Sequence, residues 1–218
     1  MKVCTFYSLV FSSVLFSSCG EKTTKEKFDF IAKPVVVEKR EVKPLSIGES
    51  APDFNLPGSD GRYYSLSDFD DSDVLAIIFT CNHCPYAQAI ESRLIRLASD
   101  YLDSVFFVAI NSNDVINYPE DSMENMRKRA HHNQYPFPYL LDNTQDVAKS
   151  YGAVCTPDFF LFNSEKKLEY RGRFDDNWQN EHEVSFEDLK YAIDAILAFK
   201  KPNQVQHPSL GCNIKWKN

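Results

Sequence analysis

Val74-Leu75-Ala76-Ile77-Ile78-Phe79-Thr80-Cys81-Asn82-His83-Cys84-Pro85 is the stretch on which the fold turns. Its first six residues are all apolar, the pattern of a strand covered on both faces, where no alternation of inside and outside is needed. Pro85 suits a first helical turn, where its missing N–H is no loss. Beyond it, Ala87, Ile90, Leu94, Leu97 and Tyr101 keep helical spacing. The two cysteines therefore stand where a buried strand gives way to a helix. Free backbone N–H groups and the positive end of the helix dipole stabilise a thiolate there. The two-residue spacer lets the second sulfur attack a mixed disulfide made by the first, so the pair can cycle.

Outward from this junction, strands and helices alternate. Upstream, Asp53 to Leu56 and Tyr63 to Leu66 flank Gly58-Ser59-Asp60-Gly61, a hairpin signal. Downstream, Val105 to Ile110 reads as a second buried strand, and about Pro119 to His132 as a helix with Met123, Met126 and Ala130 on one side. Phe159 to Phe162 predicts a third strand, and the alternation of Leu168, Tyr170 and Phe174 a fourth. Ser185-Phe186-Glu187-Asp188 has the form of a capping box opening a last helix, with Phe186, Leu189, Ile193, Ile196 and Leu197 inward. The order predicts an α/β fold: a central mixed sheet flanked by helices, an N-terminal hairpin and a C-terminal tail.

The chain has 218 residues, 43% hydrophobic and 14% aromatic, with only seven glycines, which is enough for one well-cored domain plus appendages. Its net charge of −7 excludes a nucleic-acid partner, since nothing supplies a phosphate-neutralising surface. Residues 1–18 read as a secretory signal: Lys2, a short apolar run to Phe16, then Ser17-Ser18-Cys19-Gly20. That run is too short to span a bilayer. Its ending resembles a bacterial lipobox, with Phe16 where Leu is usual, which would make Cys19 the lipidated residue. Charged residues 20–44 form a tether, with a strand at Val35-Val36-Val37 as an addition. The domain runs over 45–201, and 202–218 form a tail that docks on it, because Ile214 and Trp216 need cover. Localisation is then the cell envelope, as a periplasm-facing bacterial lipoprotein whose membrane contact is the lipid. Of six cysteines, Cys81, Cys84, Cys155 and Cys212 remain in the mature chain, and four can pair in three ways.

Gly152-Ala153-Val154-Cys155-Thr156-Pro157 precedes the third strand, and a Thr-Pro step there invites a cis bond. The dithiol at a strand–helix junction with this Thr-Pro downstream resembles the thioredoxin superfamily, in which such a cis bond packs against the CxxC pair and presents backbone to substrate. Gly48-Glu49-Ser50-Ala51-Pro52-Asp53-Phe54 is similar to the opening of its redoxin branch, alkyl hydroperoxide reductase/thiol-specific antioxidant proteins and tethered thiol-disulfide oxidoreductases. Asn111-Ser112-Asn113-Asp114, Tyr170-Arg171-Gly172-Arg173-Phe174-Asp175-Asp176 and Gly211-Cys212-Asn213-Ile214-Lys215-Trp216-Lys217 resemble one thioredoxin-like subgroup.

The resemblance implies a thiol-disulfide oxidoreductase. Cys81 attacks, Cys84 resolves, His83 lowers the Cys81 pKa, and Thr156-Pro157 faces the substrate. No bound cofactor is implied, since the disulfide carries the electrons. Partners would be protein thiols or disulfides, or a membrane electron donor. Two departures stand out. Thr80 replaces the familiar Trp, and Leu75 stands where a buried proton-relay acid often lies, leaving Asp158 or Asp175 as substitutes. Cys155 and Cys212 would pair with each other or relay electrons from the dithiol.

Three other chemistries fit parts of the pattern. Thr80 followed by Cys84 resembles the tail of the peroxiredoxin motif P-x-x-x-T-x-x-C, with Cys84 as peroxidatic thiol, but Ala76 stands in place of proline. A Cu(I) chaperone would add His182 or His207 to the thiols, although that family uses a three-residue spacer. Structural zinc would need two more ligands at suitable spacing, and these are missing, so no metal is expected. A redox-inert binding module is the non-enzymatic alternative.

Overall fold

The computed structural model describes residues 43–217 apart from Gln204. The signal segment, Cys19, the tether up to residue 42 and the strand expected at Val35-Val36-Val37 lie outside the described residues. Among the described residues no helix is long and apolar enough to cross a membrane.

At the centre lies β3 (Val74–Phe79), all six residues buried. It pairs in parallel with β4 (Val105–Asn111), Val74 opposite Val105 and Phe79 opposite Ile110. On its other side it runs antiparallel to β7 (Asp158–Asn163), with Phe79 opposite Asp158. β5 (Tyr139–Leu141) extends the sheet beyond β4, and β8 (Leu168–Gly172) beyond β7. The strand order β5-β4-β3-β7-β8 is thus mixed.

The continuous apolar run of β3 serves two cores, because successive side chains alternate between faces. Val74, Ala76 and Ile78 pack with Ile90, Leu94 and Leu97 of α1 (Pro85–Asp100) and with Leu189, Ala192 and Ile193 of α4 (Asp188–Leu197). Leu75, Ile77 and Phe79 meet Val147, Ala148 and Tyr151 of α3 (Asp146–Tyr151), together with Phe54, Leu56 and Ile214. The expected hairpin is β1 (Asn55–Pro57) against β2 (Tyr63–Ser65), and Gly61 in its turn has φ +91°.

Two expectations are corrected. The segment from Pro119 to His132 is not one helix: a single 3-10 turn, Pro119–Asp121, ends at Ser122, and α2 covers Met123–His132. Ser122 caps α2 by accepting from the Asn125 N–H, and the break leaves the Asp121 side chain free for another use. The capping box at Ser185–Asp188 does not form, and Phe186 is exposed. Competing partners take its members: the Ser185 N–H donates to Asp176, and Asp188 accepts from Arg173 Nε at 2.9 Å. β5 and α3, which carry no local pattern strong enough to read, complete the edge and one face of the sheet.

The tail lies on the domain. β9 (Cys212–Asn213) pairs antiparallel with β6 (Cys155–Thr156), the two residues before Pro157. Ile214 is buried, and its N–H donates to the Val154 carbonyl at 2.9 Å.

Candidate active site

The strand-to-helix junction is fixed by its own spacer. Cys84 is the N-cap of α1, with Pro85 in the first turn. Asn82 is nearly buried, and its side chain donates to the Glu120 carbonyl at 2.8 Å and accepts from Tyr139 at 3.1 Å. Gln88 donates back to the Asn82 carbonyl at 2.6 Å. These bonds leave the loop between the cysteines little freedom. The Thr156–Pro157 bond is cis. Thr156 touches both sulfurs: its hydroxyl lies 3.4 Å from Cys81 Sγ, and its carbonyl is 3.0 Å from Cys84 Sγ.

The buried acid that Leu75 fails to supply is Asp121, fully buried at the end of the 3-10 turn. Its Oδ1 accepts from the backbone N–H groups of Asn82 (2.7 Å) and His83 (3.3 Å). Its Oδ2 accepts from Asn113 Nδ2 (2.8 Å) and lies 2.7 Å from His83 Nδ1. The two sequence candidates for this duty are engaged elsewhere. Asp158 pairs with Arg171 (2.9 Å) and accepts from Ser209, while Asp175 pairs with the buried Arg93 of α1. Sequence reading could not find Asp121, because Pro119-Glu120-Asp121-Ser122 carries no motif and lies in chain far from the cysteines.

His83 is held rather than free. Asp121 takes one ring nitrogen, and Tyr118 stacks on the ring with centroids 5.4 Å apart. Cys81 Sγ, a His83 ring nitrogen and an Asp121 oxygen all lie within 4.8 Å of one another. As a metal centre this trio fits poorly, because the carboxylate oxygens already accept from the Asn82 and His83 backbone N–H groups and from Asn113. The cluster includes neither His182 nor His207.

The two sulfurs share one hydrogen bond, which pushes Cys81 up and Cys84 down. The Cys81 pKa is pushed far up, first by that bond, then by burial and by the Asp121 charge. Cys84 is driven well below the ordinary thiol range. Acceptance from Cys81 is the largest cause; burial opposes it, and the Ala87 N–H in the first turn of α1 and both the N–H and S–H of Cys212 add to it. In its protonated form Cys84 would donate to the Thr156 carbonyl instead, a single bond against several. His83 is expected to lower the Cys81 pKa; the negative charge of Asp121 beside Cys81 acts the other way.

Cys155 and Cys212 come near each other in space but not in orientation. Across the β6–β9 ribbon Cys155 faces Asn213, and Thr156 faces Cys212. Residues one step apart on a strand point to opposite faces, so Cys212 shares the face of Thr156 and Cys84, and Cys155 points away. Of the two roles open to these cysteines, pairing with each other or relay, the ribbon register gives the first no face-to-face geometry. Cys155 is buried, and its pKa is pushed up to about 12 by burial first and then by the Asp158 charge.

The three sequence blocks that resemble one subgroup converge here. Asn113 Oδ1 accepts from the Lys215 N–H at 2.8 Å, and the Asp114 N–H donates to the Lys215 carbonyl at 2.8 Å. Ser209 sits within hydrogen-bond distance of both Asp158 Oδ1 and the Gly172 carbonyl, at 2.7 and 2.6 Å. A cavity of about 290 Å³ opens beside Pro157, lined among others by Tyr86, Trp178, His207 and Leu210.

A dithiol at the N-terminus of a helix, packed on a cis-proline beside the central strand of a mixed sheet, defines a thioredoxin-fold redox protein. The match of residues 47–171 to the AhpC/TSA family places the chain within that family. It is 26% identical over 162 residues to peroxiredoxin Bcp of Escherichia coli (strain K12), spanning 68% of this chain and 98% of that one. Among solved structures it is similar to a hypothetical protein from Sinorhizobium meliloti 1021, with 43% identity, TM-score 0.77, and 80% and 97% of the two chains covered. An uncharacterized conserved protein from Geobacillus kaustophilus shows 47% identity, TM-score 0.76, and coverage of 79% of this chain and 93% of its own. The peroxiredoxin motif itself is not kept. Three residues separate Thr80 from Cys84, so its cysteine position falls on His83.

Proposed function

We propose that this oxidoreductase exchanges thiols and disulfides with proteins of the cell envelope, held at the membrane through lipid on Cys19. The observation that carries the reading is the Cys81–Cys84 pair at the start of α1, with Thr156 of the cis Thr156–Pro157 step against both sulfurs. No cofactor is needed, because the pair itself stores two electrons.

In the reducing direction, the Cys84 thiolate attacks one sulfur of a substrate disulfide. A Cys84–substrate disulfide forms, and the other substrate sulfur leaves as a thiolate. Cys81 then gives up its proton and attacks Cys84. The Cys81–Cys84 bond forms, and the second substrate thiol departs. Asp121, backed by His83, is the acceptor beside Cys81 for that proton. The oxidising direction is the same sequence reversed, with a membrane electron donor or a protein dithiol as the other half-reaction.

A glutathione redox titration with mass mapping of each thiol tests this. Closure of Cys81 and Cys84 as one two-electron couple is the expected result, and a potential near about −270 mV or near about −120 mV assigns reductant or oxidant. Failure of the pair to cycle refutes it. The stabilised Cys84 thiolate also favours a thiol peroxidase. Rapid oxidation by hydrogen peroxide, without exchange with glutathione, would select that reading.

A further inference from the structure

Both partners of the dithiol are closed off, Cys81 at 4% and Cys84 at 0% exposure, while Cys212 is partly open to solvent. The buried pair meets the surface at that third sulfur. Cys212 sits opposite Thr156 on the ribbon and packs against the Cys81–Cys84–Ala87 cluster. A cysteine retained as a small apolar filler is expected on the closed face of the ribbon, where Cys155 is.

The tail is shaped to hold this position. A Cβ on Gly211 would lie 2.0 Å from the Thr156 carbonyl oxygen and 3.0 Å from Pro157 N, so only glycine lets the chain pass so close to the cis-proline step. Ser209 anchors one side of Cys212 through Asp158 and Gly172, and Ile214 anchors the other through Val154. Cys212 is therefore neither on a loose end nor free to swing far from Cys84.

We propose that Cys212 is a third redox-active thiol, which draws the disulfide from Cys81–Cys84 to the surface and presents it to protein dithiols. The proposal rests on the thiol-disulfide reading above. The internal step is an exchange. The Cys212 thiolate attacks Cys84, the Cys84–Cys212 bond forms as the Cys81–Cys84 bond breaks, and Cys81 leaves as a thiolate that takes up the proton Cys212 released. No electrons enter or leave. An external protein thiol then attacks Cys212, forming a mixed disulfide there and returning Cys84 as thiolate. The second thiol of that partner closes its own disulfide and frees Cys212, which carries two electrons into the pair.

The test uses the full chain and three variants, Cys81→Ser, Cys212→Ser and Cys155→Ala, with acid quenching, alkylation and peptide mapping. Oxidised Cys81→Ser is expected to contain an intramolecular Cys84–Cys212 disulfide, and partly oxidised wild-type protein to contain the same species beside Cys81–Cys84. The wild-type quench stands alone if Cys81→Ser does not fold. Cys212→Ser should still close Cys81–Cys84, yet be reduced by reduced thioredoxin, as a probe protein dithiol, roughly tenfold more slowly, while dithiothreitol acts nearly as on wild type. Cys155→Ala should match wild type. The rate decides: reduction of Cys212→Ser by thioredoxin at the wild-type rate overturns the relay, whatever disulfides the maps contain, and leaves the dithiol reading intact. A wild-type Cys81–Cys84 pair that never closes removes both.

Discussion

Replacing Asp121 by Asn tests the assignment of charge in the site. The carboxylate is fully buried and close to Cys81, with donor atoms of the two within 4.8 Å. At an effective dielectric constant of about 20, two unit charges at that separation repel by about 3.5 kcal/mol. Removing the negative charge relieves Cys81 of most of this when it ionises. The N–H donors around the carboxylate already screen part, so the expected gain in the Cys81 ionisation constant is roughly a hundredfold. Asn keeps one oxygen to accept from the Asn82 and His83 backbone. Its amide group faces Asn113 and the His83 ring, at a stability cost of about 1.5–3 kcal/mol for the charged hydrogen bonds lost. The assay is alkylation of the reduced protein at graded pH, with Cys81 and Cys84 read separately by peptide mass and the fold checked by its Tm. Cys81 should become reactive at a pH about two units lower than in wild type. A folded Asp121→Asn protein whose Cys81 profile matches wild type would refute the placement of Asp121 as a charge that raises the Cys81 pKa.

Gly211→Ala drives a methyl group into the Thr156 carbonyl and should lift β9 from β6 at a cost of about 1–3 kcal/mol, read by urea unfolding, with faster alkylation of Cys84. Ile214→Ala removes a buried side chain that ties the tail to the α3 face of the sheet, so a loss of about 2–4 kcal/mol is expected in the same assay. The thiols should also separate by pH. With its pKa lowered, Cys84 is thiolate on both sides of neutrality, so its alkylation rate in the reduced, tail-displaced Gly211→Ala protein should stay flat between about pH 6 and 8. Cys212, pushed up to about 11 by burial first and then by donation to Cys84, should react about tenfold faster per pH unit over the same range.

The fold was legible where the signal is local. The β3 run, the Asp-Gly hairpin, the α1 spacing and the Thr-Pro step each state their own conformation within a few residues. The charge pattern of the site was not legible, because it depends on contacts made across the chain. Asp121 reaches the dithiol only because the chain breaks at Ser122, and nothing in Pro119-Glu120-Asp121-Ser122 says which way that carboxylate turns. The same holds for Ser185-Phe186-Glu187-Asp188, whose local box signal yields to Arg173 and Asp176, distant groups that bind its members. The tail was readable as something that must dock, from Ile214 and Trp216. Its strand register was not, and register is what separates Cys155 from Cys212 by a face.

Burial itself bears on the choice between the two chemistries open to an AhpC/TSA protein of this kind. A peroxide is small enough to approach a closed thiolate through minor opening of the site. A protein disulfide is not, because its sulfur must line up with the attacking sulfur while bulky chain hangs from both sides. With Cys81 and Cys84 both closed, exchange with proteins requires either that β9 leave or that a sulfur on β9 take part. Leaving would break the β6–β9 pairing and expose Ile214 on every turnover. Participation breaks nothing, since Cys212 already packs against the Cys81–Cys84 cluster and is partly exposed. If the pair serves proteins, the route through Cys212 follows; if Cys212 proves idle, the closed dithiol is better matched to a small oxidant.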